Sequence, residues 1–385
     1  MRRAAGLVAA ALVVASGAPA AAADSVIHIS VDGLSGPRLQ ALVAGDTTGD
    51  YAHFARFVNE GASTFDARAD YTHTITLPNH TSMLTGRPVS QPAGAPNTVH
   101  HGYTLNVDPL PGATLHNSGN PNLSYIASVF DVVHDHGLST AMYASKSKFV
   151  LFDRSYDATN GAPDTTPPDD GRDKIDVYFQ STPGAMQSAL LAGLAANHFR
   201  YVFVHYSNPD DAGHATGWGS PTWNAAVHTV DGYLADLFAL VEGDPLLAGH
   251  TLILLSADHG GTGFDHSDAT NPANYTIPFL AWGDGVAPGR DLYALNAATR
   301  ANPGTGRPSY TASPQPIRNG DSGNVALAAL SLPPVPGSSV DATQDLALNA
   351  TEIPLLPAAF RASLFAMLLA GGVLALRLRR DDATR

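Results

Sequence analysis

Asp258 and His259 stand side by side in Ser256-Ala257-Asp258-His259-Gly260-Gly261, where the apolar run Thr251–Leu255 ends. A carboxylate next to an imidazole is a ligand pair suited to zinc. A strand-end Asp is as readily a cap or turn residue, and a strand-end His a packed one, so the pair gains meaning only where other strand ends repeat it. Two other segments do so: Ser25–Val31 is closed by Asp32-Gly33, and Arg200–Tyr206 is followed by Ser207-Asn208-Pro209-Asp210-Asp211-Ala212-Gly213-His214. His266 follows His259 by seven residues. Asp32, Asp210 and Asp258 with His214, His259 and His266 are donors enough for two metal ions.

A nucleophile is available in Thr74-Ile75-Thr76-Leu77-Pro78-Asn79-His80-Thr81-Ser82-Met83-Leu84-Thr85-Gly86. Pro78 inside the start and Gly86 past the end frame a short helix with Thr76 near its N-terminus. Free N–H groups and the positive end of the helix dipole favour both an alkoxide and a phosphate there. Alone, Thr76 reads as a capping residue; beside two metals its hydroxyl can ionise and attack.

These groups must be delivered by a scaffold. The apolar runs at 25–31, 140–144, 200–206 and 251–255 read as buried strands, and ligands in open α/β sheets gather at the carboxyl ends of such strands. Helical patterns separate them at Tyr125–His136, Gly184–His198 and Thr222–Val241, where Val227, Val230, Leu234, Leu237, Phe238 and Val241 keep the helical period. The alternation predicts an α/β fold with a mostly parallel central sheet and helices on both faces. Residues 157–172 and 296–323 read as loops, and 333–350 as a linker.

The order of T-x-P-N-H (Thr76 to His80), P-D-x-x-G-H (Pro209 to His214) and D-H-G (Asp258 to Gly260) resembles the alkaline phosphatase superfamily. Within it, most of residues 25–285 resemble the type I phosphodiesterase and nucleotide pyrophosphatase branch. The resemblance implies hydrolysis of phosphodiester or nucleotide pyrophosphate bonds in a small-molecule phosphate ester, with two Zn2+ per chain. One zinc would be held by Asp32, Thr76, Asp258 and His259, and the other by Asp210, His214 and His266. In nucleotide pyrophosphatase relatives the last histidine lies much farther along, but no histidine follows His266 in this chain. The mechanism implied is in-line attack by Thr76, giving a phosphothreonine that is then hydrolysed.

His101-Gly102-Tyr103-Thr104-Leu105-Asn106 is similar to that branch's H-G-x-x-x-N stretch, where Asn106 would donate its amide to a phosphoryl oxygen. A neutral amide suits a diester, which carries one charge fewer than a monoester. Leu77 occupies the position of a Phe that helps sandwich the base in nucleotide-specific relatives; Tyr206 is left as either a stacking or a core residue. Lys146 and Lys148 read as a solvated surface pair, which would bind an anionic part of the substrate if they reached the site. A phosphomonoesterase, or a non-catalytic surface-anchored binding protein, is the alternative. A sulfatase would need Cys or Ser at the nucleophile position.

The chain has 385 residues, no cysteine and a formal net charge of −13, which argues against binding nucleic acid through a basic face. Residues 1–23 have the basic start, apolar stretch and small-residue end of a signal peptide, followed by a catalytic domain over 24–350. Residues 351–385 read as a membrane anchor or sorting signal: the apolar Ala362–Leu376 is followed by Arg377, Arg379 and Arg380, and Ile353-Pro354-Leu355-Leu356-Pro357 resembles a proline-bounded exosortase motif. An exported protein is expected, periplasmic or on the outer surface and at least transiently membrane-anchored.

Overall fold

The computed structural model describes residues 23–167 and 171–349. The leader through residue 22 and the whole tail 351–385 lie outside the described residues, as do residues 168–170 of the loop expected at 157–172.

Eight strands form one sheet: β1 (Ser25–Val31), β2 (Ala62–Arg68), β3 (Thr140–Ala144), β4 (Val177–Gln180), β5 (Tyr201–Tyr206), β6 (Thr251–Ser256), β7 (Thr276–Gly283) and β8 (Arg290–Asp291). Their spatial order is β4-β3-β5-β1-β6-β7-β2-β8. The run from β4 to β6 is parallel throughout, in line with the expected α/β architecture. Every residue of β1, β3, β5 and β6 is buried. Burial of both side-chain sets requires helices on both faces and explains why these strands are near-continuous apolar runs rather than alternating ones.

The other edge departs from parallel. β7 runs antiparallel to both β6 and β2, and only the short β8 pairs parallel with β2. β7 starts at the end of the sheet where β6 stops, so the intervening loop returns the chain directly and no crossover helix is needed.

The helix Pro221–Gly243 buries Val227, Val230, Leu234, Leu237, Phe238 and Val241, the stripe read from the sequence. Ser220 Oγ accepts from the Trp223 N–H at 3.1 Å and Pro221 opens the first turn. The helix expected at 125–136 is shorter, Val129–His134, because the Ser128 and Asp131 capping box starts it late. The stretch expected as a linker at 333–350 is instead packed: Val335, Val340 and Leu346 are buried, and Asn324 Oδ1 accepts from the Val335 N–H at 2.8 Å. Within 296–323, Arg300 and Arg318 are buried too, with Arg300 paired to Asp321, Asp341 and Asp345.

β1 lies between β5 and β6. The carboxyl ends of these three strands are therefore adjacent, and all three proposed Asp ligands emerge there.

Candidate metal centre

The predicted ligands converge as two groups. Asp32, Asp258 and His259 bring ligand atoms within 4.8 Å of one another, and so do Asp210, His214 and His266. In the first group His259 Nε2 lies 3.4 Å from Asp32 Oδ1 and 3.2 Å from Asp258 Oδ2. In the second, His214 Nε2 and His266 Nε2 lie 3.4 and 3.7 Å from Asp210 Oδ1 and 3.1 Å from each other. The His259 and His266 rings stack at 3.6 Å between centroids, which joins the groups.

The glycines between these ligands are required by close approach. Gly33 has φ +69°, and a Cβ there would sit 2.9 Å from the Asp210 Cα. A Cβ on Gly213 or Gly261 would meet the Trp218 ring at 2.5 or 2.1 Å. Trp218, whose Nε1–H donates to the Gly33 carbonyl at 2.9 Å, thus wedges against all three ligand-bearing loops.

The protonation pattern decides whether the donors fit a metal. Each imidazole has its Nδ1 on a backbone carbonyl, which can only accept: His259 on Gly260 at 2.8 Å, His214 on Phe264 at 3.0 Å and His266 on Thr74 at 2.6 Å. Nδ1 therefore carries a proton in all three, which leaves Nε2 as the ring atom that each turns towards the carboxylate oxygens and that a metal would take. Such second-layer carbonyls are what fixes a metal-binding tautomer. Asp32 Oδ1, Asp210 Oδ1, Asp258 Oδ2 and His259 Nε2 are all buried and have no hydrogen-bond partner. A divalent cation in each group would satisfy these atoms, so the donor set fits metal ions.

The electrostatics agree. Burial, reinforced by the charges of Asp32 and Asp210, pushes the Asp258 carboxyl well above its ordinary range, and Asp210 is raised by burial and by Asp32. Burial would raise Asp32 as well, but Lys146, His205 and His259 together hold it well below. Burial and the neighbouring His266 keep the His259 imidazole neutral, as a metal ligand must be.

Thr76 is the first residue of the helix Thr76–Thr85, buried, with Gly86 in the left-handed conformation closing the helix. The rest of its motif is anchoring. His80 Nδ1 donates to the Thr76 carbonyl at 2.8 Å and its Nε2 accepts from Ser30 Oγ at 2.8 Å, tying the helix start to β1. Asn79 donates to the His73 and Ile75 carbonyls and accepts from the Asp70 N–H and from Asn319, which in turn reaches the Ala257 and Asp258 carbonyls. Asn106 lies beside the helix start, its Oδ1 accepting from the Leu77 N–H at 3.1 Å.

Two residues are placed otherwise than expected. Lys146 is not a solvated surface residue: its Nζ bridges Asp32 Oδ2 at 2.7 Å and Asp210 Oδ2 at 2.5 Å, one carboxylate from each group. Burial would lower its pKa, but the two carboxylates outweigh burial and hold it above the ordinary ammonium value. Lys148 Nζ sits 3.1 Å from the Asn106 carbonyl and 3.3 Å from its Oδ1. β3 neighbours β5, so the strand-end rule that found the Asp ligands applies equally to Lys146. Tyr206 is a core residue, stacked on Tyr233 with its hydroxyl on Gln187, and Leu77 is fully buried. Neither offers a surface on which a base could stack. His205, Thr74 and Trp218 also serve the site and were not singled out; an imidazole inside the apolar run of β5 is the one sequence signal for any of them.

The profile of the family described as Type I phosphodiesterase / nucleotide pyrophosphatase matches residues 26–282. Among solved structures the chain is similar to inactive murine ectonucleotide pyrophosphatase / phosphodiesterase 5 in complex with AMP, with TM-score 0.55 and 14% identity, covering 84% of this chain and 99% of that one. A mutant of alkaline phosphatase PafA gives TM-score 0.55 and 13% identity, covering 86% and 100%. A 2-O GAG sulfatase gives 0.52 and 10%, covering 80% and 71%. At these identities the likeness establishes a shared fold. No curated protein matches the chain.

Proposed function

The chain belongs to the type I phosphodiesterase / nucleotide pyrophosphatase family, and from that we propose that it is a zinc-dependent phosphoester hydrolase with Thr76 as nucleophile, acting on phosphodiester or nucleotide pyrophosphate bonds. The observation that carries this reading is the convergence of three imidazole Nε2 atoms on orphaned carboxylate oxygens at the strand ends. Asp32, Thr76, Asp258 and His259 would hold one zinc and Asp210, His214 and His266 the other, supplying Lewis acidity toward the phosphoryl oxygens and the Thr76 hydroxyl.

The chain's own residues do the rest. Thr76 Oγ attacks phosphorus in line; its bond to phosphorus forms as the bond to the leaving oxygen breaks, which releases one product and leaves a phosphothreonine. Water then cleaves that ester, frees the second product and restores the hydroxyl. His80 holds the Thr76 carbonyl and so fixes the first turn of the helix against β1. With its Oδ1 occupied by Leu77 and Lys148, Asn106 has its Nδ2 donors for a phosphoryl oxygen.

Lys148 favours a second reading, a phosphomonoesterase, because its ammonium group, 3.1 Å from the Asn106 carbonyl, suits a dianion better than a monoanion. Rates on bis(nitrophenyl) phosphate and nitrophenyl phosphate separate the two. We expect the diester to be preferred, with about two zinc ions per chain by elemental analysis and about one in His266→Ala. A wild-type content of one removes the two-metal arrangement, and zinc without turnover of either ester makes the protein a binding module.

We also place the mature protein outside the cytoplasm, held at least transiently by its tail. No helix among the described residues is long and apolar enough to cross a membrane; the anchor we propose is the apolar run Ala362–Leu376, which lies outside them. Mass spectrometry of the mature chain is expected to find Asp24 or Ser25 first and a C-terminus near Pro354 to Pro357. An intact end at Arg385 would leave a plain anchor.

A further inference from the structure

We infer that His205 is a positioning residue for the Asp32 half of the metal centre, presenting Oδ1 of that carboxylate to the ion by holding its Oδ2. The inference rests on the two-zinc reading above. His205 is the fifth residue of β5, fully buried, in register with Ser30 on one side and Ala144 on the other. Its Nε2 lies 3.1 Å from Asp32 Oδ2.

The tautomer is set by Asp32. A carboxylate oxygen can only accept, so His205 Nε2 carries a hydrogen and donates it to Asp32 Oδ2. On the opposite edge of the ring the Ser145 backbone N–H lies 3.4 Å and Ser145 Oγ 3.2 Å from Nδ1. The hydrogen on Nε2 distinguishes His205 from the three ligand histidines, whose Nδ1 carries the proton. His205 is accordingly a donor to the ligand and not itself a ligand.

Asp32 Oδ2 receives Lys146 and His205 together, and the two come from one place: Lys146 follows Ser145 directly. The other oxygen, Oδ1, has no hydrogen-bond partner and faces His259. Without the His205 hydrogen bond only Lys146, which is shared with Asp210, would hold Oδ2, and the carboxylate, whose χ2 is a broad torsion, would present Oδ1 to the metal less firmly. Phe149 packs on the His205 ring with centroids 4.2 Å apart.

The test uses the full chain in the His266→Ala background, where one zinc is expected to remain, and measures zinc affinity by competition with a graded chelator. His205→Phe is expected to weaken zinc binding by about 10- to 100-fold, the usual effect of removing a group that orients a ligand. His205→Gln, whose side-chain N–H can still reach Asp32, is expected to restore affinity to within a few-fold. His205→Leu serves in place of the Phe variant if that variant does not fold. Equal affinity in wild type and the apolar variant overturns the inference alone. A loss that Gln does not restore assigns the effect to packing on Phe149 and also overturns it. A protein that holds no zinc before His205 is changed overturns the two-metal reading and this inference together.

Discussion

Thr76 carries its hydroxyl on the first residue of a helix whose start is pinned to β1 through His80 and Ser30, so a variant at this position tests chemistry with little disturbance of structure. Thr76→Ala is expected to keep the fold and at least one zinc while turnover falls by several powers of ten, and Thr76→Ser to recover a part of it. Near-normal diester hydrolysis by the alanine variant would take Thr76 out of the mechanism. At this scale Asp32, Asp258 and His259 stood out because they lie just past the ends of apolar runs, whereas His214 and His266 lie farther along and were reached only through the repeated Asp–His pattern. The placement of Lys146 was not legible, since charged side chains are mostly solvated and only the adjacency of β3 and β5 reveals that its strand end faces Asp32 and Asp210. The protonation states were also out of reach of sequence. They follow from which backbone carbonyl each ring meets, and Phe264, Thr74 and Gly260 become neighbours of the three rings only in the fold.

Elements place those residues, and their reading from sequence succeeded where burial is two-sided. β1, β3, β5 and β6 are short apolar runs with glycine or polar residues after them, and the helix Pro221–Gly243 carries an unbroken stripe. β4 and β8 escaped because they are half-exposed or exposed edge strands with no apolar run to mark them, and the antiparallel turn into β7 depends on a loop path that periodicity does not encode. Glycine positions show the same division between local and tertiary causes. Gly232 is exposed inside the helix Pro221–Gly243 with nothing within 4 Å of an added Cβ, so Gly232→Ala should stabilise by about 0.5–1 kcal/mol through helix propensity. A Cβ added at Gly261 would lie 2.1 Å from the Trp218 ring; Gly261→Ala should destabilise by about 1–3 kcal/mol through overpacking and weaken zinc binding, because Trp218 braces the loops of both ligand groups. Urea denaturation of the two variants checks the signs. Destabilisation by both would mean that helix propensity does not govern Gly232.

On the scale of the whole molecule, the net charge of −13 says nothing about which ionisable groups are buried, and those set how stability responds to pH. His28 illustrates the point. It lies in β1 with its Nδ1 2.9 Å from the Tyr201 hydroxyl, its ring edge-on to Phe203, and its Nε2 without a partner. Burial pushes its pKa down from 6.5 to about 3. In the unfolded chain the same imidazole titrates near 6.5, so between these values the unfolded state takes up a proton that the folded state refuses. The contribution is therefore fully present above pH 6.5 and is lost as pH falls toward 3, at up to about 1.4 kcal/mol per pH unit. His101, lowered to about 3 by burial behind the helix Thr76–Thr85, acts with the same sign. Other groups titrate in the same window, so the contribution of His28 is best isolated as a difference between two proteins. His28→Leu keeps an apolar core and removes the group, and relative to wild type it should gain about 2 kcal/mol on going from pH 7.5 to pH 5.0. Urea denaturation of both proteins at both pH values measures this. Stabilities that fall in parallel would show that His28 takes up its proton equally well in the folded state, and that the interior around β1 is more accessible to water than its packing indicates.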